Sequence, residues 1–547
     1  MAATSPWRPL AQLAHRSLAS SSSSSSLALP IAAPRLAATR TEARHLWTPA
    51  PPQCSCAPSP AFKGTLARLG SPATSSSSAA FSANLGSRRS LSTNSAVSLL
   101  RARVAQAASA RALSTAAAAV SPHPAVVLDP PSSSSSSYPD PPEVRLTAPF
   151  VGRYLFVIAG LVFCIVVVGG MTRLTESGLS ITEWNVVKGV KLPMSQLEWQ
   201  DEFDKYKATP EWKINNQHIT LDEFKTIYMW EWGHRILGRI IGLSFVAPIP
   251  YFVLRGKLGK GMSLALFGIA TLIGGQGALG WYMVKSGLDA DSVQDLGGVP
   301  RVSQYRLAAH LGMAFLVYSS CLRLGLGVGR DWKLAKKAQG LAGLKSVTDT
   351  LNVLQGKVAG RTRVLTTIVT ALVFTTALSG AFVAGLDAGL IYNEWPTMGG
   401  GLHPGMDELN KDFYCRKADK SDRWRNVTEN PTTVQFDHRM LAYTTFLSVV
   451  SLFAFARRPH IRAQLPPTTY RLIKASLHMS LLQVALGIST LLYLVPTHLA
   501  ATHQAGSLVL LSLVLAAGAS LRRPGSRVVQ EALRMSHLRQ KAAQIKV

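Results

Sequence analysis

Eight stretches of this chain combine continuous apolar character with enough length to approach or exceed a bilayer crossing. They run over 154–171, 230–254, 261–285, 304–328, 364–386, 436–456, 471–494 and 498–520. A helix needs roughly 20 apolar residues to cross about 30 Å of hydrocarbon. The pattern therefore predicts an all-α membrane protein with eight transmembrane helices. The first run is the shortest and is expected to extend beyond these limits. Pro248 and Pro250 fall late in the second run, where they are expected to end or kink it.

The pattern also recurs. Glu176-Ser177-Gly178-Leu179 followed by Glu183-Trp184 is answered, at the same spacing, by Asp387-Ala388-Gly389-Leu390 followed by Glu394-Trp395. Gln276-Gly277-Ala278-Leu279-Gly280 in the third run is answered by Gln483-Val484-Ala485-Leu486-Gly487 in the seventh. Four spans per copy leave both copies in the same orientation. This predicts two parallel four-helix-bundle repeats about an axis along the membrane normal. The expected units are a first bundle over 151–328, a linker over 329–362, a second bundle over 363–520 and a tail over 521–547.

A net charge of +28 raises the question of nucleic acid. The basic residues, however, sit in the leader and in short loops between apolar runs, which is a membrane pattern; no nucleic-acid partner is expected. Residues 1–120 are rich in Ser, Ala and Arg and contain one acid, Glu42. That composition reads as a mitochondrial transit segment. The Ser- and Pro-rich stretch over 121–150 reads as a disordered linker, with folding beginning near Arg153. Arg255, Lys257 and Lys260, the basic residues of 330–363, Arg457, Arg458 and Arg462, and the basic tail all share one side of an eight-span protein. The positive-inside rule assigns that side to the matrix, together with both ends of the folded chain. Cys54, Cys56, Cys164, Cys321 and Cys415 form neither a disulfide framework nor a zinc spacing.

Polar chemistry inside the runs centres on four histidines. His234 and Arg235 lie in Glu231-Trp232-Gly233-His234-Arg235, and His438 and Arg439 in Gln435-Phe436-Asp437-His438-Arg439. His310 and His503 lie early in the fourth and eighth runs. All four belong to even-numbered spans that start on the same side, so they are expected at similar depth. An ionisable group within a span is costly and marks a functional candidate. Paired by the repeat, they predict two bis-histidine sites, His234 with His310 and His438 with His503, of the kind that holds haem iron. A zinc site in the first half is an alternative, because Glu231 lies on the face of His234; its counterpart is Gln435. Glu231 is a candidate proton relay, or an anion favoured by a helix N-terminus. Arg235 and Arg439 suit pairing with haem propionates, or snorkelling at the interface.

Taken with these residues, Trp281-Tyr282-Met283-Val284-Lys285-Ser286-Gly287-Leu288 and His503-Gln504 make residues 148–520 similar to the haem A synthase family. Bacterial members often carry paired cysteines in the outward loops. Here there are none between Met171 and His234, and only Cys415 in the second loop, so the resemblance is to the mitochondrial and α-proteobacterial branch. It implies oxidation of the C8 methyl of haem O to a formyl group by two successive hydroxylations, for cytochrome c oxidase assembly. It further implies haem b as cofactor on His438 and His503, and substrate haem O on His234 and His310 with Glu231 assisting. A ferredoxin-type electron donor, contact with haem O synthase and oxidase assembly factors, inner-membrane lipids around the chain and a homo-oligomer belong to the same expectation.

Two other readings compete. A dihaem electron-transfer cytochrome b explains the four histidines equally well but not the confinement of Glu231 to the first copy. A transporter or haem-delivery protein would place its marked residues near the midplane rather than towards one face.

Overall fold

The computed structural model describes residues 145–544, apart from 186–190, 290–299 and 339, together with Ser98, Arg101, Ala102 and Ala105. Most of the expected leader, and the expected linker up to residue 144, lie outside the described residues. Among the described residues the chain is helical and contains no strand; one isolated bridge joins Met398 and Gly401. The helices that matter here are α1 (Pro149–Leu174), α2 (Gln196–Lys207), α3 (Pro210–Ile214), α4 (Leu221–Val246), α5 (Pro248–Leu254), α6 (Met262–Gly287) and α7 (Gln304–Lys337). They are followed by α8 (Gly340–Gln355), α9 (Lys357–Gly385), α10 (Pro431–Ala456), α11 (Pro467–Leu492), α12 (Thr497–Ser520) and α13 (Ser526–Gln544). Eight spans are long and apolar enough to cross a membrane: α1, α4 continued by α5, α6, α7, α9, α10, α11 and α12.

Local chemistry explains where the helices depart from the expected limits. α4 begins nine residues before the apolar run. Thr220 and Glu223 form a reciprocal capping box, with Thr220 N–H donating to the Glu223 carboxylate at 2.8 Å. The added turns bury Phe224 and Tyr228 against Phe203, Tyr206 and Ile181, so that α2, α3 and the start of α4 form a cap at this end. Pro248 and Pro250 interrupt the second span without ending it, because Ala247 keeps helical dihedrals. α1 starts at Pro149, ahead of the expected Arg153. Ala148 N–H donates to Lys257 O at 2.8 Å, and the Thr147 carbonyl accepts from Trp332 Nε1 at 2.6 Å. The segment from Arg145 is therefore anchored, which corrects the expected linker limit of 150.

α1, α7, α9 and α12 pack on one another in the middle of the molecule. Hydrocarbon offers little hydrophobic drive between helices, so close packing and hydrogen bonds hold such a layer together. A Cβ on Gly325 of α7 would lie 3.1 Å from the Gly152 carbonyl oxygen of α1; small residues at both places let these helices approach. Gln504 of α12 donates to Val166 O of α1 at 3.1 Å, and the hydroxyls of Tyr318 and Ser512 pair at 2.6 Å.

At the basic end, α7 continues past the expected limit of 328, and the segments expected as linker and tail carry α8 and α13. Val347 and Leu351 of α8 bury against Val528, Val529 and Ala532 of α13 and Leu334 of α7. Both helices are amphipathic and lie outside the spans, where water drives this contact. Leu351→Ala should cost this layer about 2–5 kcal/mol. Trypsin should then cut at Arg527 and Arg534 faster, while the spans stay resistant; unchanged cleavage would show that α13 is held by other contacts.

Candidate functional site

The four histidines occupy matching seats. His310 and His503 fall in the second turn of α7 and α12, and His438 lies seven residues into α10. His234 is further along α4 only because that helix starts early. Each ring rests against a glycine of a neighbouring odd-numbered span. A Cβ at Gly169 of α1 would lie 2.9 Å from His234 Cε1, and one at Gly380 of α9 would lie 3.4 Å from His438 Cε1. At Gly280 of α6 the distance to His310 Cε1 would be 3.6 Å, and at Gly487 of α11 it would be 3.1 Å to His503 Cε1. Gly280 and Gly487 close the two glutamine motifs of the repeat; Gly169 and Gly380 went unmarked. Both stand seven residues before the acidic residue of their loop motif, Glu176 or Asp387, which is the signal that finds them.

The ring centres of His234 and His310 are 6.4 Å apart. Two metal–imidazole bonds of about 2 Å in line, each extended by ~1 Å to the ring centre, require a separation of roughly 6 Å. The two imidazoles of the first pair are thus close enough that both would reach a single metal ion placed between them. No cluster of three or more His, Cys, Asp or Glu side chains suited to a metal ion occurs among the described residues, which removes support for a zinc site using Glu231. In the second pair, Nδ1 of His438 is 2.7 Å from the hydroxyl of Ser379, leaving Nε2 free as a ligand atom. Hydrogen bonds of this kind fix a ligating imidazole's orientation and tune its basicity. Ser379 directly precedes Gly380, and the residue directly preceding Gly169 is Val168. The buried Nδ1 atoms of His234, His310 and His503 have no hydrogen-bond partner. Gln276 donates instead to the main-chain carbonyl of His310 at 3.0 Å.

The residues that accompany the histidines clamp loops. Glu231 accepts from the Ser180 hydroxyl and the Ile181 N–H, both at 2.7 Å, and from Arg235 at 2.6 Å. Arg235 also donates to the carbonyls of Ile181 and Glu183, each at 2.8 Å, and lies over the Trp184 ring. In the second half, Arg439 donates to the carbonyls of Tyr392, Glu394 and Thr397, and Gln435 donates to Tyr392 O at 3.0 Å. Ile181 and Glu183 stand in their loop motif where Tyr392 and Glu394 stand in the other, so the two arginines make equivalent contacts. In both halves the guanidinium is already engaged by loop carbonyls. The loop it holds brings Trp184 to 3.8 Å from a Cβ at Gly280, beside His310.

One further carboxyl lies in the cap. Glu211 of α3 is 4% exposed, and its Oε2 has no hydrogen-bond partner. Burial, then the charges of Glu231 and Glu176, push its pKa well above the usual carboxylate range. His403, His478 and His498 are not brought to either pair; His403 Nδ1 lies 2.8 Å from its neighbour's Pro404 carbonyl.

Fold and site together define a multi-pass helical membrane protein with two histidine pairs, each seated across packed spans. The family described as cytochrome oxidase assembly protein, COX15-CtaA, matches residues 152–515, and the chain belongs to that family. Heme A synthase COX15 of Saccharomyces cerevisiae is 45% identical over 392 residues, covering 71% of this chain and 79% of its own. The heme A synthase of Nitrosospira multiformis is 42% identical over 68% of this chain and 94% of its own. A heme A synthase-mitochondrial ferredoxin fusion protein of Schizosaccharomyces pombe is 46% identical, over 67% of this chain and 59% of its own.

Two predictions follow from these seats. If the His234–His310 pair holds haem, Gly169→Ala should lower its occupancy, because a ring bound to the iron cannot turn away from a new methyl group 2.9 Å from Cε1. Gly280→Ala meets only ordinary contact distance and should retain it. Haem per chain and the reduced-minus-oxidised spectrum measure both, and equal loss in the two variants would contradict the seating argument.

Glu211 generates a pH test. A carboxyl whose folded pKa is raised leaves stability intact below its unfolded pKa. That stability is lost as pH rises through the folded value. Proteolysis of the cap should therefore accelerate with rising pH in the wild type, and Glu211→Gln should flatten the dependence. The same slope in both proteins would exclude Glu211 as its source.

Proposed function

We propose that this chain makes haem A, oxidising the C8 methyl of haem O to a formyl group for cytochrome c oxidase. The observation that carries this reading is the 6.4 Å separation of the His234 and His310 ring centres, close enough for both side chains to hold one iron were haem bound there. In this reading His234 and His310 hold the substrate haem O. His438 and His503 hold haem b, which when bound supplies one-electron redox chemistry. The Ser379–His438 bond supports the division of roles. An imidazole oriented by a second hydrogen bond suits a permanent ligand, while the place of Ser379 is taken by Val168 in the first half. The names of the relatives support the same reaction.

Glu231 assists at the first site. Three donors engage its carboxyl oxygens, so its immediate work is to fix the loop over 180–184 and Arg235 beside the substrate pair. Arg235 and Arg439 face the propionates only while sharing their donors with loop carbonyls. The fusion of a heme A synthase with a mitochondrial ferredoxin in Schizosaccharomyces pombe supports a ferredoxin-type electron donor. The mitochondrial relatives and the Arg- and Ser-rich leader support the inner mitochondrial membrane, with the basic end in the matrix.

Haem extracted from the purified protein tests the assignment. Wild type should yield haem b with haem O or haem A. His234→Ala should lose the latter and His438→Ala the former. Haem b alone, at two per chain and reduced by either substitution, would make the protein an electron-transfer cytochrome. Glu231→Gln adds a second readout. As Gln435 clamps its loop without charge, the variant should bind substrate haem within a fewfold of wild type while haem A formation falls ~10²-fold or more if the carboxylate moves a proton. Retention of both binding and turnover would leave Glu231 a loop anchor only.

A further inference from the structure

At the basic end, far from the histidines, the two halves differ. In the first half Phe150 and Tyr154 of α1 pack onto Phe252 of α5, with ring centres 5.4 and 5.3 Å apart, and close the space between the first two spans. Counting back from Gly169 and from Gly380, which meet His234 and His438 alike, Arg361 stands in the place of Phe150 and Leu365 in that of Tyr154. Counting forward from His234 and His438, Ala456 stands in the place of Phe252. The aromatic plug is thus absent from the second half. A groove of about 560 Å³ lies there between α9 and α10, lined by Lys357, Gly360, Arg361, Val364, Leu365 and Phe455.

The groove has a polar rim and an apolar floor. Lys357 and Arg361 are four residues apart on one helix face, both exposed, and no acidic residue lines the groove. Neither cation has an ion-pair partner among the described residues. Arg457 and Arg458, which follow Phe455 after Ala456, add two more exposed cations. Val364 and then Ile368 continue the apolar side outwards, at 60% and 51% exposure.

We propose that this groove binds an anionic phospholipid, with its phosphate on Lys357 and Arg361 and an acyl chain along Val364, Leu365 and Phe455. Basic pockets between spans on the matrix or cytoplasmic side recognise such headgroups. A haem would offer similar chemistry, acidic groups beside an apolar body. The groove, however, lies about 25 Å along α10 from His438 at the helical rise of ~1.5 Å per residue. It also opens sideways on an exposed apolar face, where lipid is the neighbour.

Full-length protein, reconstituted in phosphatidylcholine vesicles with trace spin-labelled phosphatidylglycerol or spin-labelled phosphatidylcholine, tests this. Electron paramagnetic resonance reports the immobilised fraction of each label. Wild type should prefer the anionic label, and Lys357→Gln with Arg361→Gln should reduce that preference about tenfold. Gly360→Leu should abolish the immobilised anionic component by filling the floor. A Cβ there meets no atom within 4 Å, so melting temperature should hold. Wild-type preference in the glutamine variant, or in a folded Gly360→Leu variant, overturns the proposal. Displacement of the label by added ferric haem also overturns it, assigning the groove to haem. Should Gly360→Leu fail to fold, the glutamine variant decides alone.

Discussion

Polar groups enclosed by apolar helices must find their partners inside the protein, and the rest of this site depends on how two arginines meet that constraint. A buried guanidinium without a partner costs several kcal/mol. Arg235 and Arg439 each follow a histidine by one residue, so wherever their donors are satisfied is also where the histidine's surroundings are set. Both find main-chain carbonyls of the loop that leaves the preceding odd-numbered span. The loop is thereby drawn over the histidine end of the bundle and Trp184 is brought beside His310. In the first half Glu231 adds a compensating charge; in the second Gln435 adds a neutral donor to a carbonyl that Arg439 also uses.

Within this common plan the halves diverge at residues beside the histidines. Ser379 engages His438, and the residue at the same place before Gly169 is Val168. The first half carries the cap of α2, α3 and the extended start of α4, with a buried carboxyl in it. In the proposed reading, the one ligand oriented by a hydroxyl, His438, suits a group that stays, and the pair under the separate cap suits one that is exchanged. The cap also explains why Glu211 is tolerated. As the neutral acid its burial costs far less than that of a carboxylate.

Tyr318, Ser512, Gln504 and Val166 join the halves through the central layer, and ion pairs join them at both ends, Arg173 with Asp387 and Arg522 with Asp331. These contacts link residues remote in sequence, and α1 touches α12 near its own histidine-facing glycine. Gly170, next to Gly169, leaves room for Gln504, next to His503. A change at one pair thus has a short physical route to the other.

The number of spans, their order, the four histidines and the loop motifs were legible in the sequence, because a membrane span is a local property. Its length and hydropathy are written in consecutive residues, and an ionisable residue within it stands out against an apolar background. The helix starts at Leu221 and Pro149, the continuation of α7 and the pairing of α8 with α13 were not read, since caps and amphipathic contacts outside the hydrocarbon leave a weaker signal. What only the tertiary structure decided is which atoms meet. The glycines under each imidazole, the Ser379 bond, the engagement of both arginines by loop carbonyls and the groove left where Phe150 has no aromatic counterpart all depend on side chains from different helices. Sequence records that a residue is small, basic or a hydroxyl. Its consequence follows from the neighbour that packing presents to it.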